Sequence, residues 1–320
     1  VSRVVVTGRI PKPGLDILRR DGHEVVAWGS EEQQPREQLL EQVRGADALL
    51  TLLTEQVDAE LLDAAGEQLQ VVANVAVGHN NIDVPVCRER GVVVTNTPGV
   101  LTDATADIAM ALILMASRRL GEGERVIRSG TPWQWGMFYL LGSGLQHKTL
   151  GVVGLGGIGA ATARRARAFG MNVVYSSRSQ APRELELELG AHRVDMDTLL
   201  ATSDVISLHC PYTSSTHHLL SSEEFAAMKR TAYVVNTARG PVVDEAALVE
   251  ALKAGEIAGA GLDVFEDEPA VHPGLLECEN AVLVPHLGSA TIETRTAMAT
   301  LAADNAVAVL AGREPPTPIR

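Results

Sequence analysis

The sequence predicts an α/β fold built on two doubly wound parallel sheets, and two observations carry that prediction. Short β-branched runs alternate with helix-period segments almost from end to end. The runs are apolar on both faces, as strands covered by helices on both sides must be. In the first cycle, strands are expected at Val4–Val6, Glu24–Ala27, Ala48–Leu50 and Val71–Ala73, with helical stretches at Gly14–Arg20, Pro35–Arg44 and Asp58–Ala65 between them. Val92–Val94 adds a short strand. A long Ala-rich helix follows, Thr102 to Arg119, with Thr102-Asp103 as its N-terminal cap. The second cycle runs through Leu150–Val153, Asn172–Tyr175, Val205–Leu208, Tyr233–Asn236, Ile257–Leu262 and Ala281–Val284. A closing helix spans Ala290 to Leu310, and Pro315-Pro316-Thr317-Pro318 cannot continue it. The pattern puts a boundary near residue 100 and leaves open whether the last helix docks on the second unit or returns to the first.

Composition narrows the classes. Of 320 residues, 46% are hydrophobic and 21% charged, which excludes disorder; with 3% aromatics the core has to be made of Ala, Val, Leu and Ile. A formal charge of −13 argues against a nucleic-acid partner, which would need a basic footprint. Cys87, Cys210 and Cys278 are odd in number and scattered, offering neither a disulfide framework nor a CxxC zinc site. His209, His217 and His218 show no metal-ligand spacing, so no metal is expected. The longest apolar run, Ala104 to Ala116, is broken by Asp107 and too short for a bilayer. No basic stretch leads into an apolar one at the start, and the expectation is a cytoplasmic protein with no membrane partner.

Gly154-Leu155-Gly156-Gly157-Ile158-Gly159 matches G-x-G-x-x-G, with an apolar strand running in and an Ala/Arg helix, Ala160–Phe169, running out. Gly154 permits the tight turn, Gly156 lets backbone approach a pyrophosphate, and Gly159 lets helix pack on strand. The helix N-terminus offers N–H groups to the anion. About twenty residues on, an NAD site usually places an acid on the ribose 2′-hydroxyl. Here the strand ends Tyr175-Ser176-Ser177-Arg178-Ser179. Hydroxyls and a guanidinium suit a 2′-phosphate, so NADP(H) is expected, with NAD(H) a weaker alternative.

Three later segments place an ionisable residue at or just after a strand end, where open α/β sheets bind ligands. Arg239 lies in Asn236-Thr237-Ala238-Arg239-Gly240, Glu268 in Asp263-Val264-Phe265-Glu266-Asp267-Glu268-Pro269, and His286 in Pro285-His286-Leu287-Gly288-Ser289-Ala290. An arginine can hold an α-carboxylate bidentately. A histidine can protonate a forming alkoxide, and a neighbouring carboxylate favours its charged form. Asp244-Glu245 reads as a helix start, and Arg164, Arg165 and Arg167 as a solvated helix face.

Taken in order with His209-Cys210-Pro211, these motifs resemble the D-isomer-specific 2-hydroxyacid dehydrogenases over nearly the whole chain. The resemblance implies a Rossmann cofactor domain, residues 100–289, inserted into a flavodoxin-like substrate domain made of residues 1–99 and 290–320. It implies a catalytic set of Arg239, Glu268 and His286. Val77 and Gly78, in Val77-Gly78-His79-Asn80-Asn81-Ile82-Asp83, fall on the substrate loop, with Arg239 and His286 as further substrate contacts. Implied cofactor contacts are Thr105, the loop residues Leu155, Gly156, Gly157, Ile158 and Gly159, then Ser176, Ser177, Arg178 and Ser179. Cys210, Pro211, Thr216, Thr237, Ala238, Arg239, His286 and Gly288 follow, with Asp263 where the family holds the nicotinamide carboxamide. The Tyr-Ser-Ser-Arg strand end and the Trp133–Leu145 segment look most like the NADPH-preferring glyoxylate/hydroxypyruvate reductases. Gly157 replaces a larger residue common in the family, and Asn80 replaces an acid. A longer substrate such as 2-keto-gluconate, and a dinucleotide-sensing corepressor, are the alternatives. The Ala-rich helix and Trp133, Trp135, Phe138 and Tyr139 imply a homodimer, with Trp135 directed toward the neighbouring subunit.

Overall fold

The computed structural model describes residues 1–319 and divides the chain into two compact units, one of residues 1–101 with the segment from Ala290, the other of residues 102–289. In the first, five parallel strands form the sheet: β1 (Arg3–Val6), β2 (Glu24–Ala27), β3 (Ala48–Thr51), β4 (Val71–Asn74) and β5 (Val93–Thr95). Their order is β2-β1-β3-β4-β5, the flavodoxin-like arrangement. Every residue of β3 and β4 is buried, which is why these runs show no polar alternation.

The closing helix, Ile292–Leu310, belongs to this first unit. Its Ala299, Ala302, Ala303 and Ala306 repeat at helical spacing and are fully buried. Small residues bring it close: a Cβ on Gly14 would stand 2.7 Å from the Ala299 carbonyl oxygen. Beyond it, the chain is tied down by the fully buried Asn305, which donates to Thr317 Oγ1 (2.7 Å) and accepts from Thr317 N (2.9 Å). Thr317 donates in turn to the Asn96 carbonyl at 2.6 Å, and Ile319 N to the Val94 carbonyl at 2.8 Å.

The second unit holds seven parallel strands: β6 (Thr149–Val153), β7 (Asn172–Ser176), β8 (Ala191–Arg193), β9 (Val205–Leu208), β10 (Tyr233–Asn236), β11 (Gly259–Leu262) and β12 (Ala281–Leu283). The order β12-β11-β10-β9-β6-β7-β8 is a Rossmann sheet that reverses direction between β6 and β9, so its crevice opens where the glycine loop leaves β6. The Ala-rich helix stops at Ser117, earlier than the composition suggests, because Arg119 turns left-handed (φ 54°) and starts a separate helix, Leu120–Arg128. Among the described residues, no helix is long and apolar enough to cross a membrane.

Candidate active site

Gly154, directly after β6, adopts φ +92°, and a Cβ there would stand 2.8 Å from Cys210 N. A Cβ on Gly159 would stand 2.3 Å from the Gly154 carbonyl oxygen, so strand, turn and helix can close only without side chains at these two points. A Cβ on Gly156 would meet nothing within 4 Å. That open edge sits at the N-terminus of helix Gly157–Ala168, a cradle of the shape and polarity that a dinucleotide pyrophosphate requires. Leu155 N donates to Ser177 Oγ at 2.8 Å, joining the loop to the end of β7. There Ser176 and Ser177 are half-buried while Arg178 and Ser179 are exposed.

The other residues expected beside the cofactor line the same end of the sheet. Thr105 is buried and donates to the Gly288 carbonyl at 3.1 Å. Thr216 donates to the Pro211 carbonyl at 2.8 Å, closing the loop after β9. Burial pushes the Cys210 thiol up to about 11, which leaves it unreactive. Thr237 and Ala238 follow β10 in a turn held by Asn236, whose Oδ1 accepts from Ala238 N and whose Nδ2 donates to the Arg239 carbonyl, both at 2.9 Å.

Arg239 emerges from that turn, where burial lowers its guanidinium from the ordinary value and Glu268 opposes the shift. Glu268 Oε2 meets His286 Nδ1 at 2.7 Å, and Oε1 accepts from Phe265 N at 3.0 Å. Burial by itself would raise the Glu268 carboxyl. The bond to His286 and that residue's charge, the Phe265 N–H and the charge of Arg239 together hold it below the ordinary carboxylate range. About a third of each of the His286 and Glu268 side chains stays exposed, so the imidazole Nε2 edge remains approachable.

Asp263 is 1% exposed and its carboxylate is already engaged: Oδ1 accepts from Leu287 N (2.5 Å) and Oδ2 from Gly288 N (2.8 Å). Its carbonyl accepts from His286 N at 2.9 Å. These three bonds hold His286 at φ +50°, a conformation that non-glycine residues seldom adopt. Asp263 thus positions the histidine turn, a role that its strand-end place did not reveal. Gly240 was equally hidden: a Cβ there would fall 1.9 Å from the carbonyl of Phe265, so only glycine lets the Arg239 turn lie against the segment leading to Glu268.

In the first unit, the carbonyls of Val77 and Gly78 accept from Asn96 Nδ2 (2.9 Å) and Asn74 Nδ2 (2.8 Å). Because each peptide is planar and trans, the N–H groups opposite those carbonyls, on Gly78 and His79, point away from the asparagines. In the second unit, His218, Asp244 and Glu266 come together from three segments, their ligand atoms within 4.8 Å of one another. Sequence spacing gave no hint of that cluster. Its bonds tie loop to helix: His218 Nε2 meets Glu266 Oε2 at 3.2 Å, Glu266 Oε1 accepts from Glu245 N, and Asp244 caps the helix Glu245–Ala254.

Comparison with known proteins agrees with this geometry. Residues 110–288 match the family described as D-isomer specific 2-hydroxyacid dehydrogenase, NAD binding domain. A glyoxylate reductase of Thermococcus litoralis is 49% identical over 319 residues, covering 98% of this chain and 95% of that protein. A Thermus thermophilus protein of known structure is 46% identical with a TM-score of 0.93, over 99% of this chain and 100% of that one. The NADPH-dependent glyoxylate/hydroxypyruvate reductase of Sinorhizobium meliloti, solved with NADP and malonate, is 34% identical with a TM-score of 0.85, over 99% of this chain and 96% of that one. A turn-forming glycine loop, a carboxylate–histidine pair and a half-buried arginine at the carboxyl ends of one Rossmann sheet, together with these likenesses, make the chain an oxidoreductase of the D-isomer specific 2-hydroxyacid dehydrogenase family.

Proposed function

We propose that the chain is an NADPH-dependent reductase of small 2-keto acids, converting glyoxylate to glycolate and hydroxypyruvate to D-glycerate. The observation that carries this reading is the Glu268–His286 pair at 2.7 Å beside the half-buried Arg239. With its pyrophosphate held in the glycine cradle, a reduced nicotinamide dinucleotide would supply the hydride for the keto carbon. Arg239 holds the substrate carboxylate and polarises the carbonyl. His286 gives its proton from Nε2 to the oxygen as that oxygen gains charge, and the ionised Glu268 at Nδ1 orients the ring and favours its protonated form. The peptides of Val77 and Gly78 offer the substrate carboxylate their outward N–H groups, those of Gly78 and His79.

Relatives described as glyoxylate reductases support the substrate class. The Ser176-Ser177-Arg178 strand end supports NADPH, and so does the NADPH dependence of the Sinorhizobium relative. Residues 1–99 and 290–320 would serve the substrate, residues 100–289 the cofactor. Three free thiols, Cys87, Cys210 and Cys278, suit a reducing compartment such as the cytoplasm. A substrate panel run with both cofactors tests the reading. Glyoxylate and hydroxypyruvate should give the highest kcat/KM, with NADPH above NADH. A 2-keto-gluconate-type substrate turning over faster, or NADH matching NADPH, would replace the corresponding part.

A further inference from the structure

The loop that follows β7 is held by a residue that lies outside every sequence motif. Arg193 lies on β8, paired in register with Tyr175 of β7. Its Nε and Nη2 donate to the Ser177 carbonyl at 3.2 and 2.7 Å, and Nη2 also reaches the Arg178 carbonyl at 3.0 Å. One guanidinium therefore fixes two successive peptides of the Ser177–Arg178 turn. From the other side, Leu155 N holds Ser177 Oγ, so the turn is gripped between the glycine loop and β8. Because Ser177 accepts that bond, its own proton is left to donate.

Charge balance points the same way. Neighbouring arginines are neutralised: Arg164 pairs with Glu188, and Arg165 with Asp103 and Asp107. Arg193 instead spends its bonds on neutral carbonyls, and its Nη1 edge keeps two N–H donors. Arg178, exposed on the same turn, forms no ion pair among the described residues. On the following helix Glu186 is drawn to other partners, accepting from the Tyr175 hydroxyl (2.6 Å) and Gln180 Nε2 (3.2 Å). In a chain of net charge −13, two uncompensated guanidinium groups and a free hydroxyl proton converge on one turn.

We infer that Arg193 is a positioning and specificity-determining residue for the adenosine 2′-phosphate, shaping the Ser177–Arg178 turn through two carbonyls and adding a second positive charge to Arg178. The inference rests on the NADPH reading above. The direct test is calorimetric binding of 2′,5′-ADP and 5′-AMP to the full chain, since the two ligands differ only in that phosphate. The wild type should favour 2′,5′-ADP. In R193A that preference should fall by roughly tenfold or more, the size of a lost charge-assisted contact, with 5′-AMP affinity changed less than about threefold. R193K, which keeps the charge without the fork, should recover only part of the preference. A melting curve like that of the wild type establishes that the variants are folded, as expected for an exposed side chain. R193A with undiminished preference, or R193K fully equivalent to wild type, overturns the assignment and leaves NADPH use intact. A wild type without preference overturns the NADPH reading itself.

Discussion

His286 commits Nδ1 to Glu268 and keeps about a third of its side chain exposed. Replacing it by alanine should lower kcat by about 10²–10⁴-fold, the usual contribution of a positioned acid, with little change in cofactor binding. Steady-state kinetics with a cofactor titration checks both halves. Glu268→Gln keeps the shape and removes the charge. Because that charge orients the ring at Nδ1, kcat should fall while cofactor affinity holds; an unchanged kcat would separate the pair functionally. His209 makes a different prediction. Burial between Ser207 Oγ (2.8 Å) and Thr237 pushes it down to about 4, against 6.5 for a free imidazole. Between those values the unfolded chain binds the extra proton, so stability rises with pH across the window, by at most about 3 kcal/mol. Depressed carboxylates such as Glu268 act lower, their contribution being lost only as pH falls through their own reduced values. A melting series from pH 5 to 6.5 should therefore slope in the wild type and flatten in His209→Asn.

Among elements, the turn after β10 and the segment after β11 are in backbone contact at Gly240. A methyl group there meets main chain, not the end of a flexible side chain, so neither partner can yield cheaply. Gly240→Ala should cost about 1–3 kcal/mol of stability and, by moving Arg239 relative to Glu268, about 100-fold in kcat/KM. Thermal melts and kinetics on one preparation measure both; unchanged kinetics would mean that the turn adapts. Strand-length apolar runs made most of the two sheets legible, since β3, β4, β9 and β10 are buried throughout. The three-residue edge strand β8 was not legible: Ala191-His192-Arg193 has one buried side chain and two exposed ones, so no pattern marks it. The helices Arg183–Leu189 and Met196–Thr202 were missed for the same reason, being two turns long and largely solvated. In the site, residues at strand ends could be named from the sequence. The partners that aim them, Asp263 on the histidine turn and Arg193 on the serine turn, depend on contacts that no spacing encodes.

For the whole molecule, exposed large apolar side chains gather in one stretch: Leu120, Ile127, Trp133, Trp135, Met137, Phe138, Tyr139 and Leu141. Phe138 is 89% and Trp135 74% exposed, far beyond what scattered surface residues show. A cavity of about 400 Å³ lined by Leu141, Arg119, Tyr233 and Val282 lies beneath the same stretch, at the strand end away from His286. We propose that this surface joins two copies of the chain. Sedimentation at micromolar concentration should give a dimer, and Phe138→Glu should shift it toward monomer; a monomeric wild type would end the idea. The Asn305–Thr317–Asn96 tie has its own consequence, for how the protein is made. The first unit needs its closing helix, yet residues 102–289 separate that helix from the sheet it covers. Closing so long a loop adds little free energy, about 0.6 kcal/mol per doubling of length, but non-local closure is slow. During synthesis the second unit, continuous in sequence, can fold while the ribosome still holds the last turns. The first must wait, its sheet face bare, until Asn305 and Thr317 emerge; in that interval a chaperone, or a neighbouring nascent chain, has its access to Ala48–Thr51 and Val71–Asn74.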